Sequence, residues 1–197
     1  MTEQDASKLS AVGRKHFHLI EFDESEEFVC EIRKHPVGLV LIYLSGALVT
    51  FLLLLIIMLL SGSEGFKSTL ADMNAEWARS LLLMGGMLLV LLTIILTFIY
   101  GFLYRSNVIF ITSEKIAQVL YRSIFNRKVS QLGIGDVQDV TVSQKGILAR
   151  IFNYGTLVIE TAGEQNNYIF TYIPHPYEAS TEIVGTHERY MQTFAKK

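Results

Sequence analysis

Two long apolar runs without a single charge constrain this chain more than any other feature. Val37 to Leu60 contains no Asp, Glu, Lys, Arg or His, and neither does Leu81 to Tyr104. Roughly 20 apolar residues at about 1.5 Å rise cross a hydrocarbon core, and both runs exceed that. Backbone groups in lipid must be satisfied within their own segment, so each run is read as a helix. Polarity inside them is limited to a few Ser, Thr and Tyr, with no polar stripe of the kind a soluble amphipathic helix shows. The first run starts well inside the chain and is longer than the ~7–15-residue core of a signal peptide. The chain therefore reads as a membrane hairpin with a soluble tail.

Charge sets the expected orientation. The formal net charge of −2 is less informative than the Lys and Arg near the span ends, which govern topology. Arg33 and Lys34 flank the first span and Arg105 follows the second, whereas the connection carries only Lys67 and Arg79. Both termini are expected in the cytosol, as a multi-pass protein of the cytoplasmic membrane with the connection outside. Three regions follow. Residues 1–35 form a cytosolic, partly disordered N-terminal segment, with 1–15 as a polar tail. Residues 36–104 form the hairpin, with spans of about 37–60 and 81–104 and an external connection at 61–80. Residues 105–197 form a cytosolic domain. Asp23 to Glu27 is an acidic run suited to the first turn of a short helix leading to Cys30 and Ile32. Phe66, Leu70, Met73 and Trp77 recur on one helical face of the connection. This is either a helix on the outer surface, with Trp77 as interfacial anchor, or a plain loop. Gly46, Gly85 and Gly86 permit close helix contact.

After Asn107 the period changes. Val108–Thr112, Lys115–Tyr121, Lys128–Leu132, Val137–Ser143, Thr156–Ala162 and Tyr168–Ile173 read as strands separated by turn-like residues. Pro174 and Pro176 end them. Ile183, Val184, His187, Tyr190, Met191 and Phe194 then fall on one face of a C-terminal helix. The expected fold is a membrane α-helical hairpin plus a small antiparallel domain capped by one helix; a five-stranded OB barrel is the runner-up.

Several segments carry a resemblance. Ile109-Phe110-Ile111-Thr112-Ser113-Glu114-Lys115-Ile116, Asp136-Val137-Gln138-Asp139-Val140, Gly146 to Thr156, and Ile173-Pro174-His175-Pro176 with its following helix resemble, in order and spacing, the bacterial pleckstrin-homology (PH)-like domain family. Arg33-Lys34-His35-Pro36 before the first span is similar to its two-span, membrane-anchored members. The resemblance implies an all-β PH-like sandwich or barrel with a C-terminal capping helix, and no catalytic residues.

The residues themselves offer little chemistry. No His-Glu-x-x-His, phosphate loop or Gly-x-Ser-x-Gly is present. The lone Cys30 has no internal disulfide partner; it is a buried thiol or, in a eukaryote, a palmitoylation target. His175 and His187 lack a third metal ligand at suitable spacing, and Asp136 and Asp139 read as turn and strand residues. The chain is therefore expected not to be an enzyme and to need no cofactor or metal.

One constellation stands out. Only Arg105 and Ser106 separate the second span from the first strand of the tail, so the tail must sit on the bilayer, and hairpin alternation sorts its turns into two sets. Arg122, Arg127, Lys128, Lys145 and Arg150, with Arg105, fall on the membrane side. Glu114, Asp136 and Glu164 fall at the far end. Ile124-Phe125 and Ile147-Leu148 share the membrane-side turns. Either the cations dock on anionic lipid and the apolar residues insert, or the cations are merely solvated and the apolar residues pack in the core. Expected partners are the bilayer with its anionic headgroups, an unidentified membrane protein or a second copy of the chain, and no nucleic acid. The leading role is a lipid- or protein-binding module. The alternative is an accessory subunit of a membrane transport or secretion complex, held through the hairpin.

Overall fold

The structure is a computed structural model and describes residues 9–23, 26–72, 76–161 and 168–194. In chain order its elements are α1 (Ala11–Phe17), β1 (Phe28–Arg33), α2 (Pro36–Gly62), α3 (Glu64–Asp72), α4 (Glu76–Arg105), β2 (Val108–Thr112), β3 (Lys115–Tyr121), β4 (Arg127–Gly133), β5 (Val137–Ser143), α5 (Ile147–Ile151), β6 (Tyr154–Thr161), β7 (Tyr168–Pro174) and α6 (Pro176–Phe194). They form two compact units. One is Leu39–Phe102; the other combines the chain up to Gly38 with the chain from Leu103 onward.

In the first unit, α2 and α4 are long and apolar enough to cross a membrane. Most of their large side chains, such as Leu44, Met58, Leu88 and Phe98, are exposed. The helices touch through small residues. A Cβ on Gly46 would collide with Thr97, and one on Gly86 with Ile57. Contacts that pair an early residue of α2 with a late one of α4 make the helices antiparallel. Gly85, also expected at the contact, faces open space. The connection contains α3, but Trp77 is not part of it: α4 already begins at Glu76, so Trp77 lies exposed in its first turn. The side chains of Phe66 and Leu70, and Met73 altogether, lie outside the described residues.

The second unit is built from two antiparallel sheets, one ordered β1-β2-β3-β4 and the other β5-β6-β7. No strand pairing joins them among the described residues, so the domain is an open sandwich rather than a closed barrel, and the OB alternative falls with it. Side chains alternate along a strand, which divides the apolar residues into two cores. The inner core between the sheets contains Ile109, Ile111, Ile116, Leu157, Ile159 and Phe170. Ile183 of α6 closes it, and His187 Nδ1 donates to the Ile134 carbonyl at 2.7 Å. Pro176 sits at the first helical position of α6, where its missing N–H costs nothing.

The outer core corrects the reading of the N-terminal segment. Residues 9–23 and 26–35, read as part of a separate N-terminal segment, belong to the folded sheet unit: β1 pairs with β2 along its length, with Arg33 opposite Val108. The acidic run does not lead into a helix, since Phe28–Arg33 is a strand. Only Cys30 to Arg33 alternate apolar and polar, as a sheet edge allows, and β2 offers them an edge to pair with. Residues 9–22 form an arm over the outer face of this sheet. Leu9 and Ile20 pack with Val108, Phe110, Ala117 and Val119. Ser10 caps α1 by accepting from Gly13 N–H at 3.0 Å, and it is itself held by the Glu31 carboxylate of β1. Glu26 is buried beside Lys115 at 3.1 Å, with the Thr112 hydroxyl and the Asp23 N–H also on its carboxylate. The arm explains why all five residues of β2 are buried.

Candidate functional site

Strand registers place the candidate residues. Arg33 opposite Val108, Val108 opposite Val119, and Tyr121 opposite Arg127 bring the end of β1, the start of β2 and the 122–126 turn to one end of the first sheet. In the second sheet, Ser143 opposite Thr156 and Tyr154 opposite Pro174 define the end bearing α5. His35 ties these two ends together. Its N–H donates to the Tyr172 carbonyl at 2.6 Å, and its ring stacks on Tyr154 at 5.4 Å. Arg105, Arg122, Arg127, Lys128, Lys145 and Arg150 therefore lie at one end of the domain. It is the end where the chain enters through residues 33–38 and returns through residues 103–107. All six are exposed, and none is ion-paired to a described residue. Glu114 and Asp136 lie at the other end, where Ile134 N–H donates to the Glu114 carbonyl. Glu164 lies outside the described residues.

The apolar residues of this rim do not pack in the core. Phe125 is 96% exposed at the tip of the 122–126 turn and Ile147 is 78% exposed, with Ile124 and Leu148 also open. The turn supports itself: Arg122 N–H donates to the Asn126 carbonyl, and Phe125 N–H to the Ser123 hydroxyl. Sequence reading missed Ile151 and Phe152, which are exposed as well. Residues four apart share a helix face, so the spacing of Ile147, Leu148, Ile151 and Phe152 was the available signal. Only Ala149 of α5 turns inward. Gly146, at φ +96°, makes the turn into α5 in a conformation that L side chains rarely adopt.

Behind the rim lies an aromatic clamp. Tyr104 Oη donates to the His35 carbonyl at 2.8 Å, and its ring meets Tyr172 edge-on at 6.0 Å. Tyr172 in turn stacks on Tyr154 at 5.4 Å. A Cβ on Gly38 would collide with the Tyr104 ring. Asn153, Tyr172 and His175 all have left-handed backbones, with φ of 49°, 58° and 45°. Such backbones cost energy and persist only where surrounding contacts impose them. Here those contacts are His35 N–H to the Tyr172 carbonyl, His175 N–H to the Asn153 carbonyl, and an Asn153–His175 side-chain bond at 3.0 Å. Burial lowers the pKa of His35, and the neighbouring His175 lowers it further. Burial likewise lowers that of Lys34, whose Nζ lies 5.2 Å from the Tyr104 ring centroid.

Other reactive groups are spoken for. Burial, and secondarily Glu182, pushes the Cys30 thiol up to about 11, so it is not a thiolate at neutral pH. Asp23, Glu26 and Glu114 bring carboxylate oxygens within 4.8 Å of one another, but Glu26 already serves Lys115, Thr112 and the Asp23 backbone. A cleft of about 250 Å³ opens between the sheets near the rim, lined in part by Lys34, Asn107 and Gln118.

Comparison with known families decides the assignment. Residues 37–183 match the model of the bacterial PH domain. The chain belongs to the bacterial PH domain family. The match begins at Val37, so the arm and β1 of this PH domain protein lie before it, although both are part of the folded unit. None of the curated proteins matches the chain. Among solved structures, it is similar to a DUF1696 family protein with a pleckstrin-homology domain from Shewanella loihica PV-4. That likeness has 8% identity and a TM-score of 0.35, over 41% of this chain and 70% of the other.

Proposed function

We propose that this bacterial PH domain protein is a membrane-anchored, non-enzymatic binding module whose rim docks on the anionic cytoplasmic face of the bilayer that α2 and α4 cross. The observation that carries the reading is the rim itself: exposed cations, without an ion-pair partner among the described residues, surround apolar tips that the domain does not bury. Each basic residue near an anionic surface contributes about 1 kcal/mol, and aromatic rings favour the headgroup level. A second reading is that the hairpin docks a partner in a transport or secretion complex. It is favoured by a groove of about 340 Å³ between α2 and α4, with Gly46, Ala47, Thr50 and Thr97 in its lining beside Phe51, Leu54, Ile94 and Phe98.

The docking is tested with full-length protein in proteoliposomes, carrying Phe125→Trp in a Trp77→Phe background. Brominated anionic lipid should quench the new fluorescence, and Arg127→Gln with Lys128→Gln, or high salt, should reduce the quenching. Salt acts because the Debye length shrinks to about 3 Å at 1 M. An unquenched signal refutes the docking. A reporter active only outside the cell, fused after Lys197, should stay silent if the domain is cytosolic.

A further inference from the structure

Two histidine-proline pairs open helices against the same wall. His35-Pro36 begins α2 and His175-Pro176 begins α6. Each histidine takes the cap position. The His35 carbonyl accepts from Gly38 N–H at 3.2 Å, and the His175 carbonyl from Ala179 N–H at 3.1 Å. His35 N–H holds the Tyr172 carbonyl and its ring stacks on Tyr154, while His175 N–H holds the carbonyl of Asn153, next to Tyr154.

Both rings serve as acceptors. Val37 N–H donates to His35 Nδ1 at 3.2 Å. Pro36 has no N–H, so Val37 carries the first orphan donor of α2, and the ring satisfies it. A backbone N–H can only donate, so His35 is neutral with its proton on Nε2. Asn153 Oδ1 accepts from Gln144 Nε2 at 3.1 Å, which leaves the Asn153 NH₂ to donate to His175 Nδ1 at 3.0 Å. An imidazole accepts only while neutral, because a second proton makes both nitrogens donors. On His35 that proton would face Val37 N–H and put a positive charge at the positive end of a helix. On His175 it would turn Nδ1 away from Asn153 toward the Glu178 carboxylate, 3.6 Å away.

The surroundings favour the neutral rings. Arg33 and Lys34 precede His35, Tyr104 and Arg105 end α4, and Tyr154 and Tyr172 form the wall, with Lys145 along the same groove. Glu31 shares a cleft with Lys34 and Pro36, but its carboxylate holds Ser10. Glu178 is the one acid recorded against either ring among the described residues, and it serves His175.

We propose that the two histidine-proline turns form a proton-operated latch on residues 33–38. Neutral, each ring accepts a hydrogen bond and the segment is held on Tyr154 and Tyr172. Protonated, both bonds are lost, the two rings repel, and the segment lets go. The left-handed backbones of Asn153, Tyr172 and His175 are imposed by these same contacts, so relaxing them favours release. β1 stays paired with β2; what is freed is the connection from β1 to α2. None of the bonding groups is a cation or apolar tip of the rim, so the latch stands whether or not the rim docks on lipid.

The test uses full-length protein in neutral maltoside micelles, with histidine-ring NMR titration and amide protection measured across pH. Burial and the neighbouring His175 lower the pKa of His35 below 6.5. The latch therefore holds fully above the unfolded value and is lost as pH falls through the folded one. His35 should titrate below 6.5, and His175→Gln should raise that midpoint by removing a like charge. Protection of the His35 and Val37 amides, corrected for intrinsic exchange, should fall about tenfold from about pH 7.5 to about pH 5. In His35→Asn it should stay level, because a capping asparagine accepts from the same N–H and gains no proton. Amides of Leu157 to Ile159, paired on both sides, should keep their protection, and His16→Gln should leave the whole profile unchanged. Equal loss in β6 marks general acid loosening and overturns the latch, as does a profile that follows His16. Wild-type protection that ignores pH, or an equal fall in His35→Asn, overturns it too. So does a His35 midpoint unmoved by His175→Gln, a measurement that decides even if His35→Asn does not fold.

Discussion

The arm formed by residues 9–22 should behave as part of the sheet domain, and Ile20 measures how firmly. Ile20 is 5% exposed and packs in the outer core with Val108, Phe110 and Val119. Ile20→Ala removes three carbons. At ~0.8 kcal/mol per buried methylene the transfer loss is about 2.4 kcal/mol, within the roughly 2–5 kcal/mol measured for such truncations once a cavity term is added. Taking about 2.5 kcal/mol, opening of the arm should become roughly 60-fold more frequent, since 1.4 kcal/mol is about tenfold. Hydrogen exchange on the full-length protein reads this at amides bonded within the arm. These include Arg14 N–H to the Ser10 carbonyl and Leu19 N–H to the His16 carbonyl. Amides of β6 and β7, in the other sheet, should be unaffected, and Ile124→Ala, at the exposed rim, should change nothing in the arm. Arm amides that exchange at unprotected rates in the wild type would refute the reasoning. So would arm exchange unchanged by Ile20→Ala.

Acid should loosen the same arm. His16 is buried and bonds to the Val12 carbonyl at 2.8 Å through Nδ1 and to the Tyr121 hydroxyl at 2.8 Å through Nε2. Burial lowers its pKa below 6.5, with Lys15, Arg127 and His18 acting in the same direction against the Val12 bond. A depressed histidine stabilises docking fully above the unfolded value and loses that contribution as pH falls through the folded one. Protease cleavage of the arm should therefore rise below about pH 6.5, and His16→Gln should flatten that rise; identical pH profiles would count against it. At the clamp, Gly38→Ala should lower the melting temperature in detergent, with an overpacking cost of about 1–3 kcal/mol. The cost should shrink in a Tyr104→Leu background, and an equal cost in both backgrounds would show that the ring is not the obstacle.

Much of the domain was legible because its strands are short β-branched or alternating runs set off by turn residues. Val108–Thr112, Lys115–Tyr121 and Val137–Ser143 were delimited as observed, and the expected C-terminal helix is Pro176–Phe194. β1 was not legible because Phe28–Arg33 lies between an acidic run and a long apolar run, and its partner comes after the whole hairpin. Yet a trace was present. Val108, Ile109, Phe110 and Ile111 are apolar on both faces, the mark of a strand covered on both sides, and the C-terminal helix alone cannot cover both. The rim was readable from turn alternation, which depends only on chain direction. Lys34, Asn107 and Gln118 were not readable as a group, because the register that assembles them joins β1 to β2 across the hairpin.

That placement has a consequence for how the molecule is made. The hairpin is inserted between two neighbouring strands, so Arg33 and Val108, 75 positions apart, must meet edge to edge. Closing a loop of that length in a flexible chain costs about 4 kcal/mol of entropy, and a loop of about ten residues costs about 2. Two antiparallel helices bring their outer ends together and so shorten the effective loop before the strands pair. β1, synthesised first, has no neighbour to add to until both helices have formed and β2 has emerged. Pairing of α2 with α4 thereby favours completion of the sheet, and a chain whose helices fail to pair must close the longer loop, at about 2 kcal/mol more, before β1 can join β2.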